Sequence, residues 1–210
     1  MRILLVAATE AEIAPVRAKL GPDVRVLITG VGMVATAVRC ARELALGQYD
    51  LALNVGVCGS FNHAFQPGSV VHVAFDQLPE LGAEDGDAFL TMEQLSLMGP
   101  DDFPFRGGRL TNSAPPAIPA LVTLPTVCGI TVNTVHGNAA AIERIEARLH
   151  PDVESMEGAA FMYACLVQGV PFAQVRAVSN IVERRNRQAW KLPEAVRALA
   201  DVTLNILEQA

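Results

Sequence analysis

Residues 24–60 read VRVLITGVGMVATAVRCARELALGQYDLALNVGVCGS, and the architecture follows from how this stretch divides. Val24–Thr29 is an apolar, β-branched run that stops at Gly30-Val31-Gly32. Met33–Leu46 then sets Val34, Ala37, Val38, Ala41 and Ala45 at helical spacing. Leu51–Val55 is a second continuous apolar run, ending in Gly56-Val57-Cys58-Gly59-Ser60. Short apolar runs bounded by glycine predict buried strands, and the 3.6-residue period between them predicts a helix. A strand, a helix and a strand of these lengths form a parallel unit, because a parallel crossover takes a dozen or more residues.

The same alternation continues on both sides. Ile3–Ala8 is expected as a strand, and Glu10–Leu20 as a helix with Ile13, Ala14, Val16 and Leu20 on one side. Downstream, strands are expected at Ser69–Phe75, Thr126–Val135, Val153–Met156 and Phe172–Val178. Helices are expected at Ala139–Leu149, Gly158–Gln168 and, opened by Pro193, Pro193–Glu208. Residues 76–125 break the rhythm, with seven of the 13 prolines and many acids, so they read as mostly loop with one strand near Arg109–Thr111. Interleaved strands and helices imply one domain over 1–210, α/β in class, with a mostly parallel sheet covered by helices.

Composition narrows the function classes. The chain has 210 residues, 51% of them hydrophobic, and a formal net charge of -6. A nucleic-acid polymer or an anionic membrane surface is bound through clustered Lys and Arg, so the acidic balance argues against both. No apolar run approaches the ~18–20 residues of a membrane span. The amino terminus turns acidic at Glu10 and Glu12 after six apolar residues, too few for a secretory core. The cysteines Cys40, Cys58, Cys128 and Cys165 have no CxxC spacing and sit in apolar segments. Reduced, buried thiols in a cytoplasmic protein are therefore expected. His63, His72, His136 and His150 form no ligand pair, so no metal site is expected.

In a sheet of this kind, ligands bind beyond the carboxyl ends of the strands. Four such ends carry polar or glycine-rich sequence: Thr9–Glu12, Gly30–Gly32, Gly56–Ser60 and Ser179-Asn180. They are expected to converge on one pocket. Glu10 and Glu12 fit a first helical turn, where acids complement the helix dipole, and Glu12, deeper in the turn, is the better candidate to face a pocket. Glu157 opens an almost wholly apolar helix; it serves either as an N-terminal acid or as an acceptor for adjacent hydroxyls such as those of a ribose. Arg176 lies inside an apolar strand, where a cation demands a partner; Glu157 or Glu12 would supply it.

Five motifs occur in order: Thr9-x-x-Glu12; Gly30-Val31-Gly32-Met33-Val34-Ala35; Asn54-Val55-Gly56; Met156-Glu157-Gly158-Ala159; and Val175-Arg176-Ala177-Val178-Ser179. Together they resemble the nucleoside phosphorylase and methylthioadenosine/S-adenosylhomocysteine nucleosidase superfamily. The resemblance implies a three-layer fold with a mixed, mostly parallel sheet flanked by helices. Glu154-Ser155-Met156-Glu157-Gly158-Ala159-Ala160, Leu81-Gly82-Ala83-Glu84 and Ser179-Asn180-Ile181-Val182-Glu183-Arg184-Arg185-Asn186 are most similar to the futalosine hydrolase branch, whose reaction belongs to menaquinone biosynthesis. Adenine-cleaving nucleosidases carry Asp at the position of Asn180.

The resemblance implies an N-ribosidic hydrolase needing no cofactor and no metal. Glu12 would be the general base for water, Arg176 would lock the carboxylates, and Asn180 would bind the purine at N7 and its 6-substituent. Gly56, Val57, Ser155, Met156, Glu157 and Ser179 would contact the nucleoside, with Glu157 on the 2′- and 3′-hydroxyls. Hypoxanthine offers acceptors at N7 and its 6-oxo group, which an amide can serve and an ionised Asp would repel. An amide is a poor acid, so the departing base is expected to be stabilised by hydrogen bonding, its proton coming from solvent or being delivered late. Val57 departs from a Ser common in nucleosidase relatives. No Lys or Arg lies between Arg42 and Arg106, which favours water over phosphate as nucleophile. Phe61, Phe65, Phe89, Phe103 and Phe105 are candidates to line a slot for the aromatic carboxylate of the substrate, with Arg106, Arg184 or Arg185 nearby; Trp190 is a candidate lid or interface residue. The alternatives are a methylthioadenosine-type nucleosidase, a nucleoside phosphorylase, or a non-catalytic nucleoside-binding protein on the same fold. The superfamily also implies a homo-oligomer, with 76–125 as its contribution to a neighbouring pocket.

Overall fold

A computed structural model describes residues 1–210. The strands are β1 (Ile3–Ala7), β2 (Val24–Ile28), β3 (Leu51–Ser60), β4 (Val70–Gln77), β5 (Gly82–Asp85), β6 (Ala88–Thr91), β7 (Phe105–Arg106), β8 (Arg109–Thr111), β9 (Thr126–Thr131), β10 (Val153–Ser155) and β11 (Phe172–Ile181). The helices are α1 (Glu10–Arg17), α2 (Met33–Leu46), α3 (Pro119–Val122), α4 (Ala139–Leu149), α5 (Gly158–Gln168) and α6 (Leu192–Gln209). β1 pairs in parallel with β2 and β3, β11 in parallel with β3, and β4 and β10 in parallel with β9. The β3–β10 and β11–β4 pairs are antiparallel. The pairings β3–β11–β4–β9–β10–β3 therefore close a ring within the mixed sheet.

Side chains alternate across this sheet. On one face Leu51, Leu53 and Val55 of β3 and Ala173, Val175 and Ala177 of β11 join the largest core cluster with residues of α1 and α6. Ala52 of β3 and Phe172 of β11 lie in a second cluster with residues of α2 and α5. Asn54, Gly56, Gln174 and Arg176 belong by alternation to that second face, which is where polar groups enter the core. All four cysteines are free; Cys40, Cys58 and Cys165 are buried and Cys128 is half-buried. Burial pushes the thiols of Cys40 and Cys58 up to about 12. No helix is long and apolar enough to cross a membrane.

The structure corrects four expectations. β3 and β11 do not stop at Val55 and Val178; both strands run on through glycine or polar residues to Ser60 and Ile181. Each gains ladder partners there, with a bulge between Val178 and Asn180 absorbing the change of register. Residues 76–125 hold two hairpins and a short helix rather than one strand. Gly86, at φ +62°, turns β5 into β6, and Gly107-Gly108, at φ +56° and +72°, turn β7 into β8. Paired positive φ is the backbone of a two-residue hairpin turn. Finally, α2 buries Thr36, Cys40 and Leu44, whereas Val34 and Val38 are 74% and 64% exposed. The predicted stripe faces outward with α5, where Val34, Ala37, Ala41, Ala160, Tyr163 and Val167 line an apolar groove of about 430 Å³. On α1, Ala14 is likewise exposed.

Candidate active site

The first turn of α1 and the middle of β3 create the first half of the site. Glu12 Oε2 accepts the Thr9 backbone N–H at 2.9 Å and the Thr9 hydroxyl at 3.0 Å, a reciprocal cap on the helix start. Its other oxygen accepts the Val57 N–H at 3.2 Å. Val57 thus takes part through its backbone, a role open to any non-proline side chain. Gly56, beside it, has no substitute: a Cβ there would overlap Arg176 Nη1 and come within 2.9 Å of Glu12 Oε1. That close approach brings an acid and a cation onto one spot of bare backbone.

Arg176 is 1% exposed, so its charge must be answered in full. Nη2 donates to Asn54 Oδ1 at 2.6 Å, Nε donates to Gln174 Oε1 at 3.1 Å, and Nη1 lies 3.6 Å from Glu157 Oε2. Asn54 itself donates to the Val6 carbonyl at 3.1 Å. Glu157 Oε1 accepts the Gly32 N–H at 3.0 Å, tying the loop before α2 to the start of α5. Beneath the arginine, Gln174 Nε2 donates to Asp76 Oδ2 at 3.0 Å, and the Thr131 hydroxyl donates to Asp76 Oδ1, also at 3.0 Å. Asp76 is fully buried; desolvation raises its carboxyl to about 6, partly opposed by those hydrogen bonds and by Arg176. Gly158 opens α5 directly over this layer, where a Cβ would overlap both Gln174 Oε1 and Asp76 Oδ2.

Farther along β11, the Ser179 hydroxyl lies 3.1 Å from the Cys58 carbonyl and 2.9 Å from Asn180 Oδ1. Asn180 Nδ2 donates to the Ile181 carbonyl at 3.0 Å, which leaves it one further hydrogen. Ser155 accepts the Gly158 N–H at 3.2 Å, so its hydroxyl serves the start of α5. Met156 is half-buried between them.

Glu12, Gly56, Val57, Glu157 and Arg176 are brought together, with Gly32 in contact, and Ser179 and Asn180 continue the same wall. The five phenylalanines do not all converge; Phe89 and Phe105 share a cavity of about 260 Å³ beside Arg148. Phe61 packs edge-on against His136 at 6.0 Å, Phe65 packs on a core cluster, Phe89 lies under Arg148, Phe105 meets Tyr163, and Phe103 is 73% exposed. Arg185 stacks near Trp190 at 5.7 Å. No group of three or more His, Cys, Asp or Glu is arranged to hold a metal ion.

Two features of the site carry no motif in the sequence. One is the layer of Gln174, Asp76 and Thr131 beneath Asn54 and Arg176. Gln174 and Arg176, two apart in an apolar strand, put polar groups on one face, and that was the available signal. The other is Glu154, 4% exposed, whose carboxylate meets His136 Nδ1 at 2.6 Å.

Residues 6–208 match the Phosphorylase superfamily. The chain belongs to that superfamily. Among similar proteins, a futalosine hydrolase from Thermus thermophilus is 30% identical over 190 residues, covering 87% of this chain and 80% of the relative. One from Streptomyces coelicolor is 35% identical over 161 residues, covering 73% of this chain and 63% of the relative. Among solved structures, a 5′-methylthioadenosine/S-adenosylhomocysteine nucleosidase from Colwellia psychrerythraea, in complex with adenine, superposes with a TM-score of 0.80 at 20% identity. That match covers 100% of this chain and 95% of the other. The futalosine hydrolase of Helicobacter pylori gives 0.81 at 14% identity, covering 99% and 97%. At these identities the superpositions speak for the fold.

Proposed function

We propose that this protein is a nucleoside hydrolase of the superfamily that cleaves the N-ribosidic bond of futalosine, a step of menaquinone biosynthesis, releasing hypoxanthine and dehypoxanthine futalosine. The observation that carries the reading is the buried meeting of Glu12 and Glu157 around Arg176 on the bare backbone of Gly56. N-riboside cleavage passes through an oxocarbenium-like sugar, as O-glycoside cleavage does. Such a site needs an oriented water and negative charge near the developing cation. Glu12, held by Thr9 and Val57, keeps one acceptor site, on Oε1, to orient a water and take its proton. Glu157, fixed by Gly32 and Arg176, keeps lone pairs for two adjacent ribose hydroxyls. The free Nδ2 hydrogen of Asn180 suits N7 or the 6-oxo group of hypoxanthine, both acceptors.

The substrate is a small nucleoside, and no cofactor enters the scheme. Free, buried thiols suit a reducing cytoplasm, and the exposed apolar groove between α2 and α5 suits a homo-oligomer. The test is incubation with futalosine, inosine and methylthioadenosine, with and without phosphate. Hypoxanthine should appear from futalosine without a phosphate requirement; adenine released from methylthioadenosine at a comparable rate overturns the assignment.

A further inference from the structure

Breaking the bond between C1′ and N9 leaves an electron pair on the purine, and protonation of the departing ring lowers that barrier. Asn180 has no proton to give at neutral pH. The wall beside it, however, contains an acid–base pair that the scheme above leaves idle. Glu154 accepts the His136 backbone N–H, with its oxygens at 3.1 and 3.4 Å, and holds His136 Nδ1 at 2.6 Å. The His136 side chain is 16% exposed and packs edge-on against Phe61 at 6.0 Å.

Three relations bring this pair to Asn180. Gly59 of β3 is paired in register with Glu154 of β10 on one side and with Asn180 of β11 on the other. A Cβ on Gly59 would lie 3.3 Å from Asn180 Nδ2 and 3.4 Å from Glu154 Cγ, so the two side chains overhang the same bare glycine. The backbone after each residue is joined as well, since Arg185 N–H donates to the Gly137 carbonyl at 3.1 Å.

We propose that His136, oriented by Glu154, is the proton donor to the departing purine; this rests on the hydrolase reading given above. With Nδ1 committed to the carboxylate, Nε2 is the ring nitrogen left for the substrate, and the pairing fixes tautomer and ring plane. As the C1′–N9 bond breaks, its electron pair goes to the purine. A ring nitrogen takes the proton from Nε2 of the imidazolium, leaving neutral imidazole on Glu154. Water supplies hydroxyl to C1′ and a proton to Glu12. Glu12 releases that proton to solvent and solvent returns one to His136, so the sum is nucleoside plus water giving ribosyl product plus free base.

The experiment compares His136→Gln and Glu154→Gln with the parent enzyme on two leaving groups. Hypoxanthine, from futalosine, needs a proton; nitrophenolate, from p-nitrophenyl β-riboside, departs without one. General acids contribute roughly 10²–10⁴-fold, so His136→Gln should lower kcat on futalosine by at least about 100-fold. On the nitrophenyl riboside the loss should stay below about fivefold. Glu154→Gln should show a smaller loss with the same selectivity, falling on kcat while KM holds. Circular dichroism reports folding, and Glu154→Gln carries the comparison if His136→Gln misfolds. Equal losses on both substrates, or no loss on futalosine, overturn the donor assignment and leave the hydrolase reading standing. A parent enzyme that releases no hypoxanthine from futalosine overturns the hydrolase reading itself, and the donor with it.

Discussion

Replacing Asp76 with asparagine isolates the electrostatics under the site. Asp76 is fully buried, and its carboxyl is raised from the ordinary 3.8 to about 6, burial being the main cause. At 1.36 kcal/mol per pKa unit, that rise corresponds to about 3 kcal/mol. The folded chain holds the proton more tightly than the unfolded one. The contribution of Asp76 is therefore fully present below about pH 4, decays as pH rises, and is lost above about pH 6. An amide does not titrate, so the Asp76→Asn variant lacks this decay. It carries instead a constant penalty, since an amide at this position turns a donor toward either Gln174 Nε2 or the Thr131 hydroxyl, which both now donate to Asp76. A mismatched buried donor costs about 1–3 kcal/mol. Urea unfolding of both proteins at pH 4, 5, 6 and 7 reads the difference directly, with all shared titrations cancelling. Between pH 4 and pH 7 the stability difference should move in favour of the variant by about 2 kcal/mol, most of the full amplitude. A difference constant to within about 1 kcal/mol, or one moving the other way, refutes the assignment of the penalty to burial of this carboxylate.

Gly56→Ala drives a methyl into Arg176 Nη1 and against Glu12 Oε1; displacements of about 1 Å at such a centre cost roughly 10²-fold in rate. A fall of that size in kcat/KM is expected, with Gly21→Ala, whose Cβ meets nothing within 4 Å, as the control that stays at parental activity. Loss below about threefold in Gly56→Ala would mean that Arg176 is not held where the reaction needs it. Val34→Glu plants a charge in the α2–α5 groove, and sedimentation should show weaker self-association by at least about tenfold. An unchanged sedimentation profile, or a parent chain that is monomeric at micromolar concentration, removes that face as the subunit contact.

The unit from Val24 to Ser60 was legible because glycine punctuates two apolar runs and the helix between them keeps its period. The demand of Arg176 for an acid was legible too, from one charge in an apolar strand. The reach of β3 and β11 to Ser60 and Ile181 was not, because Gly56–Ser60 and Ser179-Asn180 read as loop chemistry while their backbones still find ladder partners. Asp76 and Glu154 were hidden for a different reason. Each is a single acid near a strand terminus, indistinguishable in one dimension from a solvated turn, and only pairing across the sheet places it under Arg176 or beside Asn180. The α2 stripe misled because periodicity locates an apolar face without saying what covers it.

The closed ring of strands has a consequence for how the protein is made. β11 lies between β3 and β4, yet it leaves the ribosome well over a hundred residues after β3 begins and nearly as long after β4. At synthesis rates of ~5–20 residues per second, roughly 10–30 s separate the emergence of Glu12 from that of Arg176. From their own emergence until β11 follows, β3 and β4 present unpaired edges to the cell, in a topology dominated by distant contacts and slow to form. The polar cluster has no existence in the nascent chain, so assembly of the site and closure of the ring are one late event. Folding yield during synthesis should therefore depend on the last third of the sequence more than on the first.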